Sequence, residues 1–116
     1  MAVETLTGMP STAPLLVRAA LTSRGRRGDV VPDRTLVVED VRVDRARLAA
    51  YQRLTGYAVG DTLPQPYPWV LAFPVQTALM ARRDFPMALP GMVHLENRVT
   101  THRPMEAADP LTLSVT

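Results

Sequence analysis

The chain has 116 residues, 47% of them apolar and 21% charged, with a formal net charge of +2 and 0 cysteines. That length holds one domain at most, and its apolar share is enough to fill a core. The absence of cysteine excludes disulfides, thiolate metal sites and thiol nucleophiles, and a charge of +2 is too small to imply a nucleic-acid partner. All 13 basic residues are arginine. No run approaches the ~18 consecutive apolar residues of a membrane-spanning helix. The stretch Leu15 to Leu21 is too short and too charged for a signal-peptide core, so a cytoplasmic protein is expected.

Residues 1–30 read as a poorly ordered leader, rich in Thr, Pro, Ser and Gly, with a short helix near 15–21. Ser23 to Asp29 is a basic, glycine-containing loop, read as a solvated linker in preference to a phosphate grip. The tripeptide Arg27-Gly28-Asp29 is taken as coincidence. The folded domain is expected over 31–116. Arg34 to Val43 has the β-branched content of a strand, with Val37, Val38, Val41 and Val43. Asp44 is suited to cap a helix that carries Leu48, Tyr51 and Gln52 on one side and stops at Gly56.

Pro64, Pro66 and Pro68 make the next connection stiff and extended. A second helix is expected from about Phe73-Pro74, with proline at its first position. The segment Trp69 to Ala81 is nearly all apolar, which places it in the interior. Two readings of it stay open: plain core, or the wall of an apolar ligand tunnel. Met92 to Arg103 alternates as a strand does, with Val93, Leu95, Val99 and Thr101 on one side and His94, Glu96, Arg98 and His102 on the other. Asp109-Pro110 turns the chain into a last strand carrying Leu111, Leu113 and Val115.

Candidate chemistry is sparse. In a strand His94 and His102 would lie about 26 Å apart, too far to share a metal, and His94 with Glu96 supplies only two ligands. Ser11, Ser23 and Ser114 lack a nucleophile elbow. Gly25 and Gly28 lack the strand-to-helix setting of a phosphate loop. Six aromatic residues, mostly in the apolar region, do not make a stacking surface for bases. No metal site and no catalytic residue is expected from these.

An ordered set of motifs resembles one protein type. It comprises Arg34-Thr-Leu-Val-Val-Glu, the Leu48-to-Gly56 helix ending Leu-Thr-Gly, Tyr67-Pro68, Phe73-Pro74, Phe85-Pro86 and Gly91-Met-Val-His-Leu-Glu-Asn. The chain from about Leu15 to Thr116 resembles the N-terminal half of MaoC-like acyl dehydratases. These are double-hot-dog (R)-specific enoyl-thioester hydratases, and the likeness is to the actinobacterial 3-hydroxyacyl-thioester dehydratases of fatty-acid elongation. The resemblance implies an α+β hot-dog fold, an antiparallel sheet wrapping a central helix, here incomplete at its C-terminal end. The family's catalytic half carries Gly-Asp-x-Asn-Pro-x-His after its first helix. Here Tyr57 stands where the aspartate belongs, Asp61 is out of register, and no histidine follows. Pro74 would also remove an amide donor from the start of the central helix, where the family polarises the thioester carbonyl.

The resemblance therefore implies a non-catalytic half that accommodates an acyl chain, with Trp69, Phe73, Val75, Leu79 and Met80 lining the space. It implies a catalytic hot-dog domain or subunit as partner in a dimer-type association. The substrate would be a CoA or acyl-carrier-protein thioester, with no metal or redox cofactor. A separately encoded substrate-binding subunit and a non-enzymatic acyl-thioester-binding module remain the alternatives. With about three strands and an open edge, the isolated chain is expected to be a poor monomer.

Overall fold

The computed structural model describes residues 2–26 and 28–116. Arg27, and with it the reading of the tripeptide it begins, lies outside the described residues, as does Met1. The elements in chain order are β1 (Ala2–Leu6), α1 (Thr12–Leu21), β2 (Arg34–Val41), α2 (Arg45–Thr55), α3 (Tyr67–Met80) and β3 (Leu111–Val115). The three strands form one sheet in the order β1-β2-β3. β2 and β3 are antiparallel, with Leu36 opposite Val115 and Val38 opposite Leu113, while β1 lies parallel to β2. The class is α+β, a sheet packed on a central helix as in part of a hot dog. The sheet is mixed, where an antiparallel one was expected.

The local signals around α2 act as their chemistry dictates. The Asp44 carboxylate accepts from the N–H groups of Ala46 and Arg47, and Gly56 closes the helix in the left-handed region at φ 81°. Leu48 and Gln52 are buried and Tyr51 is half-buried, so the side read from the spacing is the inner one. In β2 the ladder slips between Val38 and Val41, where Asp40 takes a positive φ of 52°. This bulge lets Val41 stay on the inner face despite the odd spacing.

Four expectations are corrected. Residues 2–6 form β1, where no regular structure was expected. Its Glu4 carboxylate meets Arg82 at 2.7 Å and Arg34 at 3.6 Å, which ties the strand to the turn after α3 and to the start of β2. The central helix begins at Tyr67, six residues before Phe73, with proline in its first turn and Pro74 in its interior. A proline in that place removes a helix hydrogen bond at a cost of about 3 kcal/mol. Burial of a side chain such as Val75, 0% exposed, returns roughly 1.5–3 kcal/mol of that. The segment Met92 to Arg103 has no strand ladder; the alternation is there, but no strand lies beside it among the described residues. Finally, α3 is not buried all round, because Phe73 is 38% exposed.

Two core clusters meet along α3. Leu36, Val38, Val41 and Leu113 of the sheet close on Val75. Val43, Leu48, Leu63, Tyr67 and Ala107 form the second cluster beneath α2. Leu71 and Leu111 pack against both and join them.

Candidate functional site

The helix α3 sets the site, because its apolar residues fall on distinct sides. Tyr67, Leu71, Val75 and Ala78, spaced four, four and three apart, belong to the two cores. Val70 and Pro74 line a cleft toward residues 9–14. Trp69, Phe73, Gln76 and Met80, spaced four, three and four apart, form a further stripe that no strand covers.

Along that stripe runs a groove of about 490 Å³, closed on its far side by Leu89 and by Met92 to Glu96. The Trp69 ring meets Phe73 at 5.9 Å and the edge of His94 at 5.6 Å. Such tilted contacts hold the indole in place. His94 is held through Nε2 by the Glu96 carbonyl at 2.8 Å, and Arg98 reaches back to the Glu96 carboxylate at 3.1 Å. The Gln65 amide donates to the Val99 carbonyl at 3.4 Å, a second tie between this segment and the start of α3. Val93 and Leu95 remain 77% and 91% exposed. The groove is thus an aromatic-floored channel with one rim that is apolar and open.

A second, smaller cavity of about 190 Å³ lies at the other end of α3, between the helix and the sheet. It is lined by Leu79, Met80, Val115, Phe85 and Arg34. Of the five residues expected to line an acyl space, the structure brings Trp69, Phe73 and Met80 together in the groove. Leu79 joins Met80 in the smaller cavity. Val75 sits apart, closed into the core between helix and sheet.

The region after α2 is structured but carries no acid-base pair. The Gln52 amide is buried and donates to the carbonyls of Gly60 (3.0 Å) and Thr62 (3.2 Å), while its oxygen accepts from Gly60 N–H (3.3 Å). This clamp fixes the bend that follows Tyr57, and sequence spacing marked Gln52 only as inward-facing. Tyr57 points to solvent, 46% exposed, and the Asp61 carboxylate is paired with Arg45. No group of three or more His, Cys, Asp or Glu among the described residues could hold a metal ion.

The donor shortage at the start of α3 has a different source from the one expected. Pro74 lies too deep to affect the first turn. Pro66 and Pro68 are the residues there without an N–H, and the Tyr67 N–H is already taken by the Pro64 carbonyl at 2.9 Å. The Tyr67 phenol is held above its usual pKa, first by burial and then by the Asp44 carboxylate, so it stays neutral there.

At the opposite end of α3 the Arg26 guanidinium acts as a cap. It donates to the carbonyls of Arg82 (2.8 Å), Ala81 (3.1 Å), Met80 (3.3 Å) and Phe85 (3.4 Å), and to Thr22. The loop read as a solvated linker is therefore anchored by its middle arginine. A cation on these carbonyls also complements the helix dipole.

Compared with known proteins, the chain is 39% identical over 102 residues to 3-hydroxyacyl-thioester dehydratase X of Mycobacterium tuberculosis (strain ATCC 25618 / H37Rv). The match takes in 86% of this chain and 36% of that protein, so the chain spans about a third of its relative's length. No protein-family profile matches the chain, and no solved structure matches it. No helix among the described residues is long and apolar enough to cross a membrane.

Proposed function

We propose that this chain, 39% identical over 102 residues to a 3-hydroxyacyl-thioester dehydratase, is an acyl-accommodating, non-catalytic half of such an enzyme. The complete enzyme would interconvert a trans-2-enoyl thioester and an (R)-3-hydroxyacyl thioester. Adding or removing water moves a proton and a hydroxide with no net change of oxidation state, so the reaction calls for no redox carrier. The substrate arrives as a CoA or acyl-carrier-protein thioester, and the acid-base residues come from a partner hot-dog domain or subunit.

One observation carries the reading. The α3 stripe of Trp69, Phe73 and Met80 stays open to a groove of about 490 Å³, while the place of the catalytic motif holds an exposed Tyr57 and an ion-paired Asp61. An aromatic-floored channel gains about 0.8 kcal/mol for each methylene it takes out of water. The chain's role is then to bind, orient and keep dry the acyl tail. Its proline-rich α3 start leaves few amides for polarising a carbonyl, which supports assigning that step to the partner.

Trp69 is the single tryptophan, so its fluorescence reports on the groove alone. Titration with saturated acyl-CoA thioesters of increasing length should give a saturable change in emission. Affinity should rise up to about fourfold per added methylene until the groove is full. A response that is the same for acetyl and long-chain thioesters would remove the groove from the account.

A further inference from the structure

A third cavity, of about 620 Å³, lies between the loop after α1 and the loop after α3. It is lined by Arg24 and Arg26 on one side, Arg83 and Asp84 on the other, and by Asp29 and Phe85. We infer that this cavity binds the phosphate-bearing end of the thioester carrier, with Arg24 and Arg83 as the gripping side chains. The inference rests on the proposed function, since it takes the ligand to be an acyl thioester.

The first observation is charge without partners. Arg24 and Arg83 make no hydrogen bond or ion pair among the described residues, and both are exposed at the cavity wall. Free arginines occur elsewhere on the chain, but these two share one cavity. The opposing groups are accounted for. Asp84 is bound to Arg34 at 2.8 Å, and Asp29 is the remaining carboxylate. Arg26 offsets the carbonyls at the end of α3, so that helix end does not repel an anion. Among the described residues, two unengaged guanidiniums against one carboxylate favour a phosphate, which guanidinium forks bind in bidentate fashion.

The second observation is that Gly25, Arg26 and Gly28 are each held in place. Gly25 takes a positive φ of 81°, which favours glycine. At Gly28 a Cβ would lie 2.7 Å from the Pro86 Cβ, so this backbone presses directly on the opposite loop. With Arg26 fastened to four carbonyls at the end of α3 and in that loop, the two walls are locked together. An anion entering between them meets backbone walls already in place, which limits the loop-ordering cost of binding.

The third observation is continuity. Asp84 and Phe85 line both this cavity and the apolar one at Leu79 and Met80, and Met80 with Gln76 belongs also to the Trp69 groove. A ligand with a phosphate at one end and a hydrocarbon chain at the other would meet basic and then apolar walls in that order. Phosphate esters occur both in the nucleotide of CoA and in the phosphopantetheine arm shared with acyl-carrier protein.

Calorimetric titration of the chain with CoA, 4′-phosphopantetheine and 3′,5′-ADP tests this, using Arg24→Gln/Arg83→Gln beside the control Arg53→Gln on α2. CoA affinity should fall about tenfold or more in the double variant and stay unchanged in the control, the loss being charge-assisted contact. It should also weaken as salt is raised. Equal loss for 3′,5′-ADP places the nucleotide phosphates in the cavity. Loss for 4′-phosphopantetheine without 3′,5′-ADP binding places the arm's own phosphate there. Either result upholds the site. CoA binding that is absent, or equal in wild type and double variant, overturns it. The chain-length response of Trp69 in the same samples stands or falls separately, so failure here is distinguishable from failure of the acyl groove.

Discussion

Replacing Arg26 by alanine removes the cap on the central helix, and the structure gives the size of the effect. Arg26 is half-buried and donates to four carbonyls at the end of α3 and the turn beyond it. Of these four, only the bonds to Arg82 at 2.8 Å and Ala81 at 3.1 Å are short enough to count fully; the bonds to Thr22 at 2.9 and 3.0 Å are local to its own loop and are not part of the cap. A hydrogen bond from a charged donor contributes roughly 1.5–3 kcal/mol, and partial solvation trims the sum, so a loss of about 2–4 kcal/mol is expected. For a domain of this size that lowers the melting temperature by about 10–20 °C. Arg24→Ala, two residues away with nothing bound, should shift it by less than about 3 °C. Arg26→Lys keeps the charge but loses the planar fork, and should recover under half of the deficit. Thermal unfolding followed by circular dichroism reads all three. If Arg26→Ala melts with Arg24→Ala, the cap contributes nothing and the loop is a linker after all.

Gln52→Ala should cost about 2–4 kcal/mol in denaturant unfolding, because it removes three hydrogen bonds, each about 0.5–1.5 kcal/mol, from the buried amide to the backbone of Gly60 and Thr62 and frees the bend after Tyr57. Asp44→Ala should cost about 1 kcal/mol, and Asp44→Asn much less, since either oxygen can accept from Ala46 and Arg47 N–H. Tyr67 gives an alkaline effect. Its folded pKa is raised, so the unfolded chain loses the phenolic proton first, and stability should fall as pH rises above the ordinary tyrosine value of 10.0. Tyr67→Phe should flatten that decline in melts taken across the alkaline range, and an unchanged slope would mean the phenol is not held neutral.

What could be read from the sequence divides along the range of the interactions involved. α2 was legible because its start and stop are local chemistry, with Asp44 bonding two residues onward and Gly56 turning left-handed on its own. β2 and β3 were legible because valine and leucine alternation marks the face that meets a core. The start of α3 was misread because Pro68 and Pro74 both suit a first helical turn. What decides between them is burial of Tyr67 and Leu71 against distant Leu48 and Leu111. β1 was missed for the same reason: five residues with one charge acquire a strand's identity only from a parallel neighbour more than thirty positions away. Alternation in Met92 to Arg103 names two faces but not a neighbour, and a ladder needs the neighbour. At the site, the apolar stripe was visible as composition, but its division into core and groove was not, which is why Val75 was grouped with Trp69. The Arg26 cap gave no local signal, because the carbonyls it meets at the end of α3 and beyond lie fifty-four to fifty-nine residues on.

Whether this chain holds an acyl thioester without transforming it is decided by one titration read at two wavelengths. A trans-2-enoyl-CoA is added to the purified chain while Trp69 emission and the enoyl-thioester absorbance are followed together. The expected result is a saturable change in Trp69 emission with no loss of enoyl absorbance. Loss of absorbance that disappears in Asp61→Asn or His94→Ala would contradict it, by showing that the chain carries an acid-base group of its own.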